Sequence, residues 1–423
     1  MYKLKLLLKN LLPAPLFSLY HLFLAHLGAL VYGFPSRKLT VIGVTGTDGK
    51  SSTIEYINAI FEAAGHTTSL SNSIRVKIAS HTESSTGRSM PGRFFIQRFM
   101  RRALDTKCTV AIVEMTSEGV KQHRHRAIEL DCLVLTNLTP EHIESHGSFE
   151  AYANAKFEIG SALARSRKRP RVMVANADDA QSSRYLALSV EKVVGISLAG
   201  HAPWRADERG GSFTFKGQLV HVAIPGEFYV RNALAAAEVA DAFGVGTQAI
   251  AEGIAAITAI PGRMQRVECG QDFGVVVDYA LTPDALEKLY KTYGSQKKVC
   301  IFGCTGGGRD KWKRPVLGKL AEQYCDSVII TNDVAYGEDA KNIAEDVARD
   351  MQKKPEIILD RRIAIRRGIE IAASSSERHN TVVLITGMGI DTEITDANGV
   401  EVPWSDVEVA REELRGAQAA RPL

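Results

Sequence analysis

From residue 39 onward, short β-branched apolar runs alternate with stretches of helical periodicity, the pattern of α/β domains built on mostly parallel sheets. The first run ends in a glycine-rich turn and leads into a helix predicted from about residue 52 to 64. Runs at 109–113 and 132–136 are short, continuous and β-branched, as buried strands are. A helix is predicted over 149–165, strands over 171–176 and 192–197, a hairpin across Gly217, and an alanine-rich helix over 228–243. Pro261-Gly262 closes this unit. Strand patterns then recur at 274–278, 299–302, 327–331, 356–359 and 381–386, separated by helices at 283–293, 314–323, 340–351 and 362–373. The predicted architecture is α/β: a central P-loop-type domain over 39–262, followed by a Rossmann-like C-terminal domain over 263–423. A chain of 423 residues exceeds the roughly 250–300 at which a single core stops growing, which agrees with two domains.

The first 38 residues break the pattern. Lys3, Lys5 and Lys9 precede residues 10–36, which contain no Asp, Glu, Lys or Arg. The run is long enough to cross a bilayer and has cationic flanks, but Pro13, Pro15, His21 and His26 interrupt it. Three readings stand: a helix packed on the protein or a partner chain, a segment on a membrane surface, or a span. Net charge is only +4 and scattered, without a nucleic-acid-binding signature, so nucleic acid is not an expected partner. The six cysteines include no C-x-x-C pair and mostly lie in apolar runs. They predict buried thiols in a reducing, cytoplasmic compartment, with no disulfide or zinc framework and with any membrane attachment on the inner face.

Gly46-Thr47-Asp48-Gly49-Lys50-Ser51, followed by Ser52, carries the strongest chemical signal. Strand, glycine turn and helix in that order aim backbone N–H groups and a lysine at polyphosphate, with a hydroxyl for magnesium. Five residues rather than four separate Gly43 from Gly49, so the strict P-loop spacing is missed by one. Glu114 follows a strand, on the edge where open α/β sheets bind ligands, and could bracket magnesium with Ser51. His142 and His146 stand four apart beside acids, His142 being the preferred metal ligand. Lys156, alone on a helix, would pass for a surface group. In the second domain, Gly303–Asp310 with Lys311, Lys313 and Arg314 forms an anion-receptive turn. Gly387-Met388-Gly389-Ile390-Asp391 ends a hydrophobic strand with a carboxylate that could receive a substrate ammonium.

Taken in order, these segments resemble the Mur ligases of cell-wall synthesis, and the resemblance covers roughly residues 39–400. Gly46–Ser51 is similar to the family's phosphate loop, and Glu114–Gly119 to its glutamate-serine-serine-histidine-glycine stretch, with Glu118 in place of histidine. The 136–147 segment matches the asparagine and aspartate-histidine segment, with Glu141 for aspartate. Ala155-Lys156 matches the family's carbamylated lysine, which raises Lys156 to a magnesium ligand. Gly226–Ala233, Pro261–Met264 and Val277–Asp284 match further motifs, with Leu281 for a typical histidine. The resemblance implies Asn232 at the adenine, Arg263 at the phosphates and Asp278 at the ribose. It implies ATP and magnesium as cofactors, with one ion at Ser51 and Glu114 and another at His142 and carbamylated Lys156.

The activity implied is an ATP-dependent amide ligase that activates an acceptor carboxylate as an acyl phosphate for attack by an amino acid. Lys50, Lys156, His142 and Glu114 would be catalytic. Arg309, Arg314, Asp333, Tyr336, Gly389 and Asp391 are candidates for holding the amino acid on the C-terminal domain. Two departures stand out. Only about 38 residues precede the phosphate loop, too few for the family's uridine-nucleotide-binding domain, so the acceptor is either a muropeptide-like molecule or another peptide or lipid-linked acid. Asp333-Val334-Ala335-Tyr336 replaces the aspartate-asparagine-proline-arginine motif of diaminopimelate-adding members, and Tyr336 cannot grip a carboxylate through two parallel N–H groups. A degenerate nucleotide-binding partner protein is the third expectation.

Overall fold

A computed structural model describes residues 14–395 and 400–419. Residues 1–13, with Lys3, Lys5 and Lys9, lie outside the described residues. Eight strands form the first sheet: β1 (Thr40–Thr45), β2 (Thr68–Ser71), β3 (Arg75–Ile78), β4 (His81–Ser84), β5 (Val110–Glu114), β6 (Cys132–Leu135), β7 (Val172–Asn176) and β8 (Lys192–Ile196). Their order is β4-β3-β2-β5-β1-β6-β7-β8, parallel except at β2-β3-β4. β1 lies between β5 and β6, so the turns after all three open on one edge, where ligands of open α/β sheets bind. The central strands are buried on both faces, which explains their unbroken apolar runs. A small sheet, β9 (Trp204–Asp207), β10 (Gly210–Phe215) and β11 (Gln218–Val222), contains the hairpin expected across Gly217.

The second sheet has β12 (Gln265–Arg266), β13 (Gly274–Asp278), β14 (Lys297–Phe302), β15 (Ser327–Ile330), β16 (Glu356–Ile357) and β17 (Thr381–Thr386), in the order β12-β13-β17-β14-β15-β16. All pairs but β12–β13 are parallel. Arg361 and Asp406 pin the C-terminal helix Asp406–Ala419 to this unit: both side chains are fully buried, with a guanidinium–carboxylate contact of 2.7 Å, and Arg361 also donates to the Thr386 carbonyl at 2.8 Å. Removing one partner strands the other charge away from water. Arg361→Leu should cost about 3–5 kcal/mol of stability in urea titration; a cost below about 1 kcal/mol would show the pair to be hydrated.

One expectation is corrected. Cys300 in β14 and Cys325, just before the neighbouring β15, form a disulfide across a Cα separation of 6.1 Å, because that pairing returns the chain alongside β14. Cys108, Cys132 and Cys304 are buried free thiols, and Cys269 is half-buried. From residue 14 the N-terminal run folds as a helix, Ala14–Val31, and no helix of the described residues is long and apolar enough to cross a membrane. The helix packs on the helix Arg93–Asp105, with Ala25 and Ala29 buried.

Candidate active site

The turn after β1 is held open by two glycines. Gly46 has φ +148°, and a Cβ there would lie 1.9 Å from Thr136 Oγ1; at Gly49, φ +79°, it would lie 2.6 Å from Asn232 Oδ1. The helix Lys50–Ala63 begins immediately after, so its free N–H groups and positive dipole end face the turn. Lys50 Nζ donates to the Thr47 carbonyl at 2.7 Å and sits 3.9 Å from Glu114 Oε1. Ser51 Oγ donates to Glu114 Oε2 at 3.0 Å and lies 2.8 Å from Ser73 Oγ, while Ser73 N–H donates to the same carboxylate oxygen at 2.9 Å. A buried carboxylate and a hydroxyl therefore meet beside a lysine, an oxygen donor set that suits magnesium.

Lys156 is not a surface group. It is 2 % exposed, and Nζ donates to the Gly46 carbonyl at 2.5 Å. Burial, then the nearby Lys50 charge, push its ammonium well below the usual lysine range. Tyr152 supports it: the ring lies 5.0 Å below Nζ, and the hydroxyl is 3.0 Å from Thr47 Oγ1. Burial thus favours the uncharged amine, the form that takes up carbon dioxide, and the side chain is compatible with a carbamate. His142, in a left-handed conformation, is pushed down to about 4 by burial and then by Lys156, leaving a neutral imidazole suited to a metal. His146 instead pairs with Glu118, Nε2 to Oε1 3.3 Å, the glutamate that replaces the family's histidine.

The C-terminal domain closes on this edge. Asp310 accepts from the backbone N–H groups of His142 at 2.6 Å and Ile143 at 2.9 Å, Lys313 reaches Glu141 at 2.9 Å, and Thr282 Oγ1 donates to Asp48 Oδ2 at 3.1 Å. Ligand atoms of Glu141, His142 and Asp310 lie within 4.8 Å of one another. The cleft between the domains holds about 690 Å³ and is lined by the phosphate loop, Glu114, His142, Asn232, Arg263, Asp278, Arg309 and Asp391. Arg263 stacks over Tyr279, 4.7 Å from guanidinium carbon to ring centre, with its buried Nε unpartnered. Asp278 accepts from Met264 N–H at 2.7 Å and is pushed up to about 6 by burial.

The amino-acid candidates divide. Asp391 lines the cleft and is pushed up to about 7 by burial and then by Asp333; Tyr279 donates to it at 3.4 Å. Asp333 is buried, with Oδ2 unpartnered. Gly389 packs so tightly on Tyr279 that a Cβ would lie 2.7 Å from the tyrosine's own. Tyr336 is exposed, with Arg309 stacked 4.8 Å above its ring. Arg314 does not face the cleft, a correction to its expected role: it is fully buried and bonded to Glu338 at 2.8 Å and Asp346 at 3.0 Å, because the turn of its helix points inward. Ser73 and Tyr152 escaped sequence reasoning, and Thr282 was seen only within a motif match, since only the pairing of distant elements brings them to the site.

These features define a ligase-type nucleotide site: a phosphate loop on one α/β domain, roofed by a second. The Mur ligase middle domain model matches residues 44–240, and the Mur ligase, glutamate ligase domain model matches 262–389. The chain is 31% identical over 409 residues to the UDP-N-acetylmuramoyl-L-alanyl-D-glutamate--2,6-diaminopimelate ligase of Syntrophomonas wolfei, covering 93% of this chain and 82% of that one. It is 33% identical over 424 residues to the UDP-N-acetylmuramyl-tripeptide synthetase of Roseiflexus sp., covering 92% and 81%. Folylpolyglutamate synthase of Mycobacterium tuberculosis, solved with ADP, shares the fold at TM-score 0.70 and 19% identity, covering 100% of this chain and 98% of that one. The chain belongs to the Mur ligase family and is an ATP-dependent acid–amino-acid ligase.

Proposed function

We propose that this enzyme joins an amino acid to the carboxylate of a muropeptide-like acceptor in cell-wall synthesis, through an acyl phosphate. The observation that carries the reading is the meeting of Ser51, Glu114 and Lys50 with buried Lys156 on one phosphate loop. ATP lies with its phosphates at Gly46–Ser51, Asn232 at the adenine, Asp278 at the ribose and Arg263 spanning the cleft. An acceptor carboxylate oxygen attacks the γ-phosphorus, the bond to the β-phosphate oxygen breaks, and ADP leaves. Magnesium, held by Ser51 and Glu114 and by His142 with carbamylated Lys156, would supply neutralising charge on the transferring phosphoryl group. Lys50 follows the developing negative charge, and the roof of the cleft excludes water from the activated acid. The amine then displaces phosphate to give the amide.

ADP release should require acceptor and amine together; ATP loss without any amide product would contradict the reading. Asp391 receives the amine, and its ionised fraction grows as pH rises through about 7. Asp333, Arg263, Tyr279, Asp406 and Arg361 are among the charged and titratable groups acting on it. The pH profile of kcat/KM for the amino acid should therefore gain a rising limb near 7 that Asp391→Asn lacks. The same limb in both enzymes would assign it elsewhere.

A further inference from the structure

The N-terminal helix is apolar on two faces, and among the described residues only one is covered. Its inner face is fixed to the central domain: Ala25 and Ala29 are buried, Ser18 Oγ lies 2.7 Å from His123 Nε2, and Gly28 lies against Phe94. The outer face carries Leu16, Leu19, Phe23, Leu30 and Val31, each 51–64% exposed. Their spacing follows the helical repeat, so they form one stripe along the helix. Cations rim it. Arg37, stacked 4.1 Å above Phe34, and Lys38 are exposed just beyond its end. On the adjoining helix Phe94, Arg98 and Arg102 follow one another at four-residue spacing, all exposed, and only Arg102 of the two arginines has a carboxylate partner, Glu83. No Asp or Glu precedes Asp48 in the sequence.

We propose that this face docks the enzyme on an anionic phospholipid surface, the helix lying flat at the headgroup level. An apolar stripe sinks into the acyl boundary while rim cations meet lipid phosphates, which is how interfacial helices bind. A second copy would fit less well, because a two-fold contact through the stripe brings both cationic rims together. The inner-face contacts keep the helix parallel to the domain surface. The inference stands apart from the ligase chemistry, which uses none of these residues.

The test is sedimentation of the full chain with vesicles of phosphatidylcholine, with and without phosphatidylglycerol. Binding should need phosphatidylglycerol and weaken with salt. Leu19→Glu/Phe23→Glu should lower it by about tenfold or more, and Arg37→Gln/Lys38→Gln should also lower it, with the thermal midpoint unchanged. Phe23→Trp keeps the stripe apolar, and its added emission should shift to the blue on such vesicles, which reads insertion if the glutamate variant misfolds. No binding to phosphatidylglycerol vesicles, equal binding by the glutamate variant, equal binding to phosphatidylcholine alone, or a dimer that Leu19→Glu/Phe23→Glu dissolves would each overturn the proposal.

Discussion

Glu114→Gln is expected to lower amide formation by about 10²–10³-fold while the protein stays folded. The carboxylate accepts from Ser51 and from Ser73 N–H on one oxygen, so the glutamine amide oxygen can keep both bonds while the charge is lost. The deficit should fall on kcat, because the charge is needed most when the γ-phosphoryl group is in transit. ADP binding in the absence of magnesium should change little, since on the proposed reading the phosphate loop amides and Lys50 would hold the nucleotide without Glu114. Steady-state rates over a magnesium titration, with calorimetric ADP binding, check both halves. A variant turning over within about threefold of the parent, well short of the loss expected for a lost charge–metal contact, would remove Glu114 from the site.

Lys156→Ala is the second large effect, a loss of about 10²-fold or more. Its Nζ contacts the Gly46 carbonyl and little else polar, so the stability cost should be small compared with the catalytic one. Burial lowers the amine's proton affinity, which favours the uncharged form that carbon dioxide attacks. If the carbamate is the active form, acetate or formate entering the space vacated in Lys156→Ala should restore part of the rate. Depleting bicarbonate should slow the parent enzyme and leave the alanine variant unchanged. Full activity of Lys156→Ala would contradict any ligand role, whereas loss without rescue would leave an amine acting through its contact with the loop.

The sequence made the frame legible because buried parallel strands must be continuous apolar runs. β13 and β17 fall where the runs predicted them, and the long helix Phe149–Arg165 likewise. The short strands β2–β4 were not seen, since four-residue runs with polar members such as Thr68 and Ser69 lack a distinct period. The phosphate loop was readable because its chemistry is local. Lys156 was not readable from spacing alone: its burial depends on how its helix turns against the phosphate loop, and the family resemblance supplied what spacing lacked. Arg314 failed in the opposite sense. Its neighbours Lys311 and Lys313 suggested a cationic turn, yet Glu338 and Asp346, distant in sequence, neutralise it in the core. Asp310 and Thr282 lay inside segments already singled out, but their contacts to His142 and Asp48, which close the domains, are tertiary and not readable from those segments.

The central claim is that the acceptor carboxylate attacks the γ-phosphorus of ATP held on Gly46–Ser51. Its most direct test starts from acceptor whose carboxylate carries heavy oxygen, run through a single turnover with ATP, magnesium and the amino acid. Mass analysis should find one heavy oxygen in the inorganic phosphate released and ADP as the nucleotide product. Phosphate without the label, or the label in AMP, would contradict the account.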